Sequence, residues 1–527
     1  MSLVGKFASV GGATMASRVF GFVREALIGA ALGAGPVADA FYAAFRFPNL
    51  FRRLFAEGAF NTAFIPLFAK ELEGDGMAGA RRFAEEVLSV LVVALLAISV
   101  LAILFMPFLV GTIIAPAFAD TPEKFDLTVL MTRIMFPYLF CMSLVAMFSG
   151  ILNSMRRYFL AAIVPVLLNV ILIGVLVAAL HFGVESRVTG LWLAWGVFAS
   201  GIAQLLFLMW GAHREDYAMR LRRPRMTPAV RRLLILMGPA LLTGGVTQIN
   251  LLVGQIIASA QDGAIALLNY ADRINQLPLG VIGIAVGVVL LPELARSLKA
   301  GDEADAQHLQ NRSLEFALGL TFPAAVGLAV MPGPIVAVLY ERGAFTAETT
   351  ALTASALSAF AVGLPAYVLI KVFSPGFFAR EDMKTPMWFS MAAVVANIVG
   401  ALSLFPVLGH VGLALATSIA AWINFVLLAG TLWGRDAFRP SPATLRRVAM
   451  IVVAGAAMGA ALWALQVAMA DWLAGPILMR LAAVIGIIAL AMVIYFAIVI
   501  TTGALDRTQL TAAMRRRKRV RDAPPGP

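Results

Sequence analysis

The sequence has 527 residues, of which 61% are hydrophobic and 13% are charged, and its mean hydropathy is +0.89. Soluble domains are nearer ~45–50% apolar and ~25% charged, so this composition excludes a water-soluble globular fold and predicts an all-α polytopic membrane protein. The net charge of +12 does not indicate nucleic acid, because the cations lie in short loops and in the basic run 515–519, where they set topology and contact anionic membrane lipids.

The chain offers little of the chemistry that a metal centre or a nucleotide site needs. Its single cysteine, Cys141, lies in an apolar run, so neither an internal disulfide nor a multi-cysteine metal site is predicted. The four histidines are far apart in sequence, and the phosphate-binding pattern G-x-x-x-x-G-K-[ST] is absent. We therefore expect no metal and no cofactor, while the coupling ion or energy source, a membrane potential included, is left open.

Hydropathy, interrupted by glycine, proline and charged residues, predicts about fourteen membrane-spanning helices. Their predicted limits are 7–33, 37–68, 83–110, 127–153, 158–181, 189–211, 230–258, 264–295, 313–339, 350–378, 386–407, 410–433, 446–470 and 476–503. Connections from odd to even spans carry few cations, Lys124 among them, whereas every connection from an even to an odd span is rich in cations. The positive-inside rule therefore predicts that both termini are cytoplasmic.

The two halves of the chain resemble each other at an offset of about 226 residues, as in the match of Gly150 with Gly376. Because this offset covers six spans, both copies have the same orientation, which predicts two parallel-repeat six-helix lobes. The expected domains are an N-terminal lobe at 1–225, a C-terminal lobe at 226–440, two extra transmembrane helices at 441–505 and a basic cytoplasmic tail at 506–527.

The two extra helices carry the small-residue pattern Gly455-x-x-x-Gly459. Such a pattern allows two helices to approach closely in a membrane. Two interpretations stay open: the pair forms an apolar groove for a long lipid tail, or it packs against the second lobe.

The first two predicted spans contain an unusual set of ionisable side chains. They are Arg18, Arg24, Glu25, Asp39, Arg46, Arg52, Arg53 and Glu57. An arginine at the bilayer centre costs ~2.5–3.5 kcal/mol on insertion scales, so these residues should face a polar cavity or acidic partners. Five cations against three anions, with Arg273 on span eight as a further cation, predict an anionic guest. The alternative is a set of internal arginine–carboxylate pairs that only stabilise the fold.

Helical periodicity places some of these charges on a shared face. Arg18 and Glu25 are seven residues apart on the first span. On the second span, Pro48 is expected to kink the helix. Periodicity therefore leaves open whether Arg52 or Arg53 points inward.

Two sequence segments in this region identify a protein family more specifically than the composition does. One is S-R-V-F-G-F-V-R-E at 17–25, and the other is F-P-N-L-F-R-R-L-F-A-E-G-A-F at 47–60. Together with Y-A-D-R at 270–273 and Y-E-R-G-A-F at 340–345, they resemble the MurJ (MviN) family of lipid II flippases. That family belongs to the multidrug/oligosaccharidyl-lipid/polysaccharide exporter superfamily.

The resemblance implies two six-helix lobes around a central cationic cavity, with the two C-terminal helices forming an apolar groove. It implies essential arginines at Arg18, Arg24, Arg52 and Arg273, with Arg52 favoured over Arg53, and acidic positions at Asp39 and Glu57. We therefore predict that the four arginines bind the substrate. The predicted gating or charge partners are Glu25, Asp39, Arg53 and Glu57. Some relatives carry an acid where this chain has Gln276.

The resemblance also implies a transporter, not an enzyme. The expected substrate is lipid II, the undecaprenyl-diphosphate-linked disaccharide-pentapeptide, moved from the cytoplasmic to the periplasmic leaflet by alternating access for peptidoglycan biosynthesis. The protein is expected to be a monomer in the bacterial cytoplasmic membrane. The alternative is an exporter of another polyprenyl-diphosphate-linked saccharide. A sugar transferase is disfavoured, because it would need paired acids or an aspartate-rich metal motif at a membrane face.

Overall fold

The computed structural model of the protein describes residues 3–54, 60–215, 217 and 219–504. Over these ranges the regular structure is helical, and no strand is present. The chain divides into two compact units: the first is Met1–Asn269 with Tyr340–Thr349, and the second is Tyr270–Leu339 with Thr350–Pro527. The domain limits expected from the repeat stay predictions.

The described part of the first unit is built from helices. In chain order they are α1 (Leu3–Leu32), α2 (Pro36–Phe51), α3 (Asn61–Gly74), α4 (Gly76–Leu104), α5 (Met106–Leu109), α6 (Pro122–Met135), α7 (Tyr138–Ser154), α8 (Tyr158–His181), α9 (Ser186–Arg214) and α10 (Pro228–Ala258). Proline is the first residue of α2, α6 and α10. Its fixed φ suits this position, and its missing N–H would have no partner there in any case.

The chain passes into the second unit within the next helix. The remaining helices are α11 (Ala264–Lys299), α12 (Glu303–Val330), α13 (Pro332–Tyr340), α14 (Ala347–Phe378), α15 (Lys384–Leu408), α16 (His410–Gly434), α17 (Pro442–Ala468), α18 (Ala470–Leu473) and α19 (Ile477–Thr501). α17 begins with a capped turn, in which the Ser441 side chain accepts a hydrogen bond from Thr444 N at 3.1 Å.

The described helices confirm an all-α polytopic membrane fold. Ten of them are long and apolar enough to cross a membrane, when α6 and α7 are counted as one helix. α10 bends by 53° between Pro239 and Gly244, and the number is eleven if α10 is counted as a single span. Each of the fourteen predicted spans corresponds to one helix or to two consecutive helices. The fifth predicted span, 158–181, has the same limits as α8.

The second predicted span, 37–68, contains α2 and α3. α2 ends at Phe51, and residues 52–54 continue in wider, π-helical turns. Pro48 lies inside α2 and lacks the N–H that would bond one turn back. Residues 55–59 lie outside the described part of the chain, and α3 begins at Asn61. The kink expected at Pro48 stays a prediction.

The turn between α1 and α2 is packed tightly against the 340–349 segment of the first unit. Gly33 has φ +60°, and a Cβ there would lie 2.5 Å from the carbonyl oxygen of Ala344. Gly343 has φ +59°, and a Cβ there would overlap the carbonyl oxygen of Ala30. Ala344 N donates a hydrogen bond to Ala30 O at 2.8 Å. The two backbones approach this closely because both positions are glycine.

The glycine pattern of α17 packs against α12 in the second unit. A Cβ at Gly455 would overlap the ring of Phe322, and one at Gly459 would lie 3.2 Å from Val326 Cγ1. The close-packing interpretation of this pattern is therefore confirmed. The groove for a lipid tail stays a prediction.

We expect Gly455→Ala to destabilise the protein by about 1–3 kcal/mol, because the added methyl group overpacks the contact with Phe322. Gly486→Ala is the matched control: it lies in α19 of the same unit, and an added Cβ has nothing within 4 Å. The control should be neutral or stabilising by up to about 1 kcal/mol. Thermal unfolding of the detergent-solubilised variants, followed by tryptophan fluorescence, measures both. Equal midpoints would contradict the packing described here.

Candidate functional site

Arg24 of α1 is the centre of a buried polar cluster in the first unit. It is 7% exposed, and its Nη1 donates to Asn169 Oδ1 on α8 at 2.9 Å. Its Nη2 donates to Glu25 Oε1 at 2.5 Å. The other carboxylate oxygen of Glu25 accepts from the Tyr42 hydroxyl on α2 at 2.6 Å, and Asn169 Nδ2 donates to Ser17 O at 3.1 Å. The cluster therefore joins α1, α2 and α8.

The contact between Arg24 and Glu25 is not one that a helix provides by itself. Neighbouring residues in an α-helix point in different directions, and their side chains do not normally face each other. Here the guanidinium also bonds to Asn169, which fixes the direction of the side chain. Asn169 was not among the predicted site residues. An asparagine inside the apolar run of α8 was the available signal.

The hydrogen-bonding capacity of Arg24 is not fully used within the cluster. Its Nε is buried and has no hydrogen-bond partner among the residues that the structure describes. A buried charged donor without an acceptor is costly, on the order of 1–3 kcal/mol or more. Because this donor belongs to a planar guanidinium, the arrangement suits an anion with several oxygens, such as a phosphate group.

The other predicted arginines of the first two spans differ in their exposure. Arg18 and Arg53 are exposed, whereas Arg46 and Arg52 are half-buried. Arg52 Nε donates to Asn49 Oδ1 at 2.8 Å, one turn earlier on α2. The two side chains therefore differ in burial: Arg52 is half-buried and Arg53 is exposed, a difference that helical periodicity did not predict.

Arg273 and Glu57 are two further predicted site residues. Arg273 is on α11 in the second unit, where it is half-buried. On the same helix, the side chain of Gln276 donates to the Asp272 carboxylate. Glu57 lies outside the described residues. The structure thus brings Arg24 and Glu25 together, and a common site with the other predicted arginines stays a prediction.

The buried partner of Asp39 is a residue that the sequence analysis treated as a loop cation. Asp39 is fully buried, and its Oδ2 lies 2.9 Å from Lys124 Nζ. Lys124 is the third residue of α6 and is 3% exposed. The same Nζ lies 2.9 Å from Asp262 Oδ1. Its position between two apolar runs made Lys124 resemble an ordinary topology-setting charge.

The titratable groups show no cluster of metal-ligand type over the described ranges. No three His, Cys, Asp or Glu residues come together there in a way that could hold a metal ion. Cys141 is a buried free thiol.

The sequence is similar to a family of known transporters over most of its length. A family model described as lipid II flippase MurJ matches residues 28–483. A probable lipid II flippase MurJ from Rhizobium tropici is 52% identical over 520 residues, which is 98% of each chain. A probable lipid II flippase MurJ from Rhizobium meliloti is 53% identical over 527 residues, covering 98% of this chain and 97% of the relative.

The fold agrees with the sequence comparison. A solved structure of a lipid II flippase MurJ in an inward closed conformation matches with a TM-score of 0.74 and 25% identity, covering 93% of this chain and 99% of that one. The family model and the two relatives each cover well over half of this chain. The chain therefore belongs to the lipid II flippase MurJ family.

Proposed function

We propose that this protein moves lipid II from the cytoplasmic to the periplasmic leaflet of the bacterial cytoplasmic membrane, by alternating access, to supply peptidoglycan synthesis. The observation that carries the proposal is the 52–53% identity, over nearly the whole chain, with probable lipid II flippases. The apolar, multi-helix architecture suits a transporter of this kind. We further propose that the protein acts as a monomer with both termini in the cytoplasm.

The diphosphate of lipid II is the chemical group that the proposed site must recognise. Arg24 is the best-supported ligand, because its buried guanidinium is already oriented by Asn169 and keeps Nε available among the described residues. Glu25 neutralises that charge and would compete with the diphosphate for it. An arginine fork binds two phosphate oxygens at once, which a lysine ammonium does not.

The remaining predicted residues complete this proposal. Arg18, Arg52 and Arg273 would supply further guanidinium groups for the diphosphate, and Asp39, Arg53 and Glu57 would act as charge partners during the cycle. The half-buried position of Arg52 and its hydrogen bond to Asn49 support a role for it. The undecaprenyl tail would stay in the bilayer, along α17 and α19.

Release of lipid II requires the arginine side chains that bind the diphosphate to move apart. A carrier that bound the diphosphate equally well in both states would not shift toward release. The membrane potential, negative inside, would favour return of a cationic element, at ~2.3 kcal/mol per charge per 100 mV. We propose this potential as the source of the reset step, with no cofactor involved.

Depletion of the protein in its host should trap lipid II in the cytoplasmic leaflet, because no other route of comparable rate would remain. The measurement is the fraction of lipid II that a periplasmic, membrane-impermeant colicin-type enzyme can cleave in intact cells. Cells that regain the protein from a plasmid should regain cleavage. Undiminished cleavage after depletion would exclude lipid II as the substrate and leave the saccharide-exporter alternative.

Arg24→Ala and Arg52→Ala should each lower the rate of lipid II delivery at least about tenfold, the change expected when a charge-assisted hydrogen bond to phosphate is lost. Arg24→Lys should be impaired too, because an ammonium lacks the planar fork. Complementation of the depleted strain, normalised to membrane protein level, measures these effects.

Two further variants make this comparison selective. Arg82→Ala, at an exposed position on α4, removes a cation of the same type and should leave delivery unchanged. Arg53→Ala should retain more activity than Arg52→Ala, because the Arg53 side chain is exposed. If Arg53→Ala were the more severe of the two, the assignment of Arg52 as the inward residue would be wrong.

A further inference from the structure

The first turn of α11 is capped by a residue from another helix. Gly263, which precedes α11, has φ +77°, and a Cβ there would lie 2.6 Å from Ala34 O. Glycine is therefore required, and the position has no side chain that could cap the helix. Asp39 of α2 does so instead: its Oδ2 accepts from Gly263 N at 2.7 Å, and its Oδ1 accepts from Ala266 N at 3.0 Å.

Lys124 is the cation that accompanies this buried carboxylate. Its Nζ donates to Asp39 Oδ2 at 2.9 Å, while its side chain is 2% exposed. The ammonium also lies 4.1 Å from the ring centroid of Phe118, a favourable cation–π distance. Its second carboxylate partner, Asp262, is 86% exposed. Water screens that second contact, so the buried pair with Asp39 dominates.

The position of Lys124 within α6 gives no local reason for a cation. It lies in the first turn of the helix, where the unpaired N–H groups make a positive charge unfavourable. The interactions that offset this come from other elements: α2 through Asp39, and the α10–α11 turn through Asp262. One ammonium therefore links three elements of the first unit.

We infer that Lys124 is a positioning residue, which holds the Asp39 carboxylate in the orientation that caps α11. Without the ammonium, a fully buried carboxylate would keep only its backbone donors, a costly state for a charge in an apolar surrounding. The carboxylate would then turn away or take up a proton, and α2 would separate from the first turn of α11. The role in transport rests on the proposed function: Lys124 stabilises the state in which α2 and α11 are joined.

The test measures the opening of this contact directly in purified protein. In a Cys141→Ser background, Ala266→Cys places a thiol at a fully buried position next to the Asp39 contact. We expect Lys124→Met to increase the maleimide labelling rate at least about tenfold, the effect of losing a charge-assisted hydrogen bond. Lys124→Arg, which keeps the charge, and Asp262→Asn, which removes only the exposed contact, should stay within about twofold of the parent.

A second buried thiol separates positioning from general loss of structure. Ala454→Cys reports on the contact of α17 with α12 in the other unit, and its labelling should not change in Lys124→Met. An unchanged rate at position 266, or an equal rise at position 454, would overturn the inference. If Lys124→Met cannot be purified, the labelling rates at positions 266 and 454 are measured in Lys124→Gln instead, with the same expected results. Because no lipid II is present in this experiment, its result does not depend on whether the protein is a lipid II flippase.

Discussion

An ionised side chain inside an apolar helix bundle must have a partner of opposite charge or a full set of hydrogen bonds, because water is not there to solvate it. Two places in the described part of the first unit illustrate how this constraint is met. Arg24 bonds to Glu25 and Asn169, and Asp39 bonds to Lys124 and to two backbone N–H groups of the α11 start. The α1–α2 segment is held in position by these contacts as well as by apolar packing.

The two places differ in where the partners come from. Arg24 and Glu25 are adjacent on α1, and their contact depends on one further element, α8, whose Asn169 fixes the direction of the Arg24 side chain. The partners of Asp39 come from α6 and from the start of α11, so its burial as an ion depends on the arrangement of three elements. In the proposed cycle the first pair stays within the substrate site, where the diphosphate competes with Glu25 for Arg24. The second is conditional, and its loss would mark a change of state.

The helices were largely predictable from the sequence, because spans of apolar residues bounded by charge and glycine leave few alternatives in a membrane. α8 has the limits that hydropathy predicts, and the glycines of α17 pack as their spacing suggests. The end of α2 at Phe51 and the π-helical turns at 52–54 were not predicted, since a proline within an apolar run is compatible with more than one local change of the helix.

The partners of the buried charges were harder to predict than the charges themselves. Asn169 is 145 residues from Arg24, and Lys124 is 85 residues from Asp39, so neither pair has a periodic signature. A cation between two apolar runs looks the same in a hydropathy profile whether it lies in a loop or in the first turn of a helix. Only tertiary structure distinguishes a topology-setting lysine from one that is buried against a carboxylate.

Pairing within the site also sets how strongly a diphosphate can be held. An arginine without a counter-ion would bind phosphate tightly in a dry environment, and a carrier that binds too tightly releases slowly. With Glu25 already at 2.5 Å from Arg24, a diphosphate in the proposed site would have to displace or share a carboxylate. The free energy of that exchange would be subtracted from the affinity. The Tyr42 hydroxyl donates a hydrogen bond to the other oxygen of Glu25 at 2.6 Å. If the guanidinium turned to the substrate, the Glu25 carboxylate would keep this hydrogen bond. In the proposed site, an exchangeable ion pair of this kind would give the selectivity of a guanidinium while keeping binding weak enough for release.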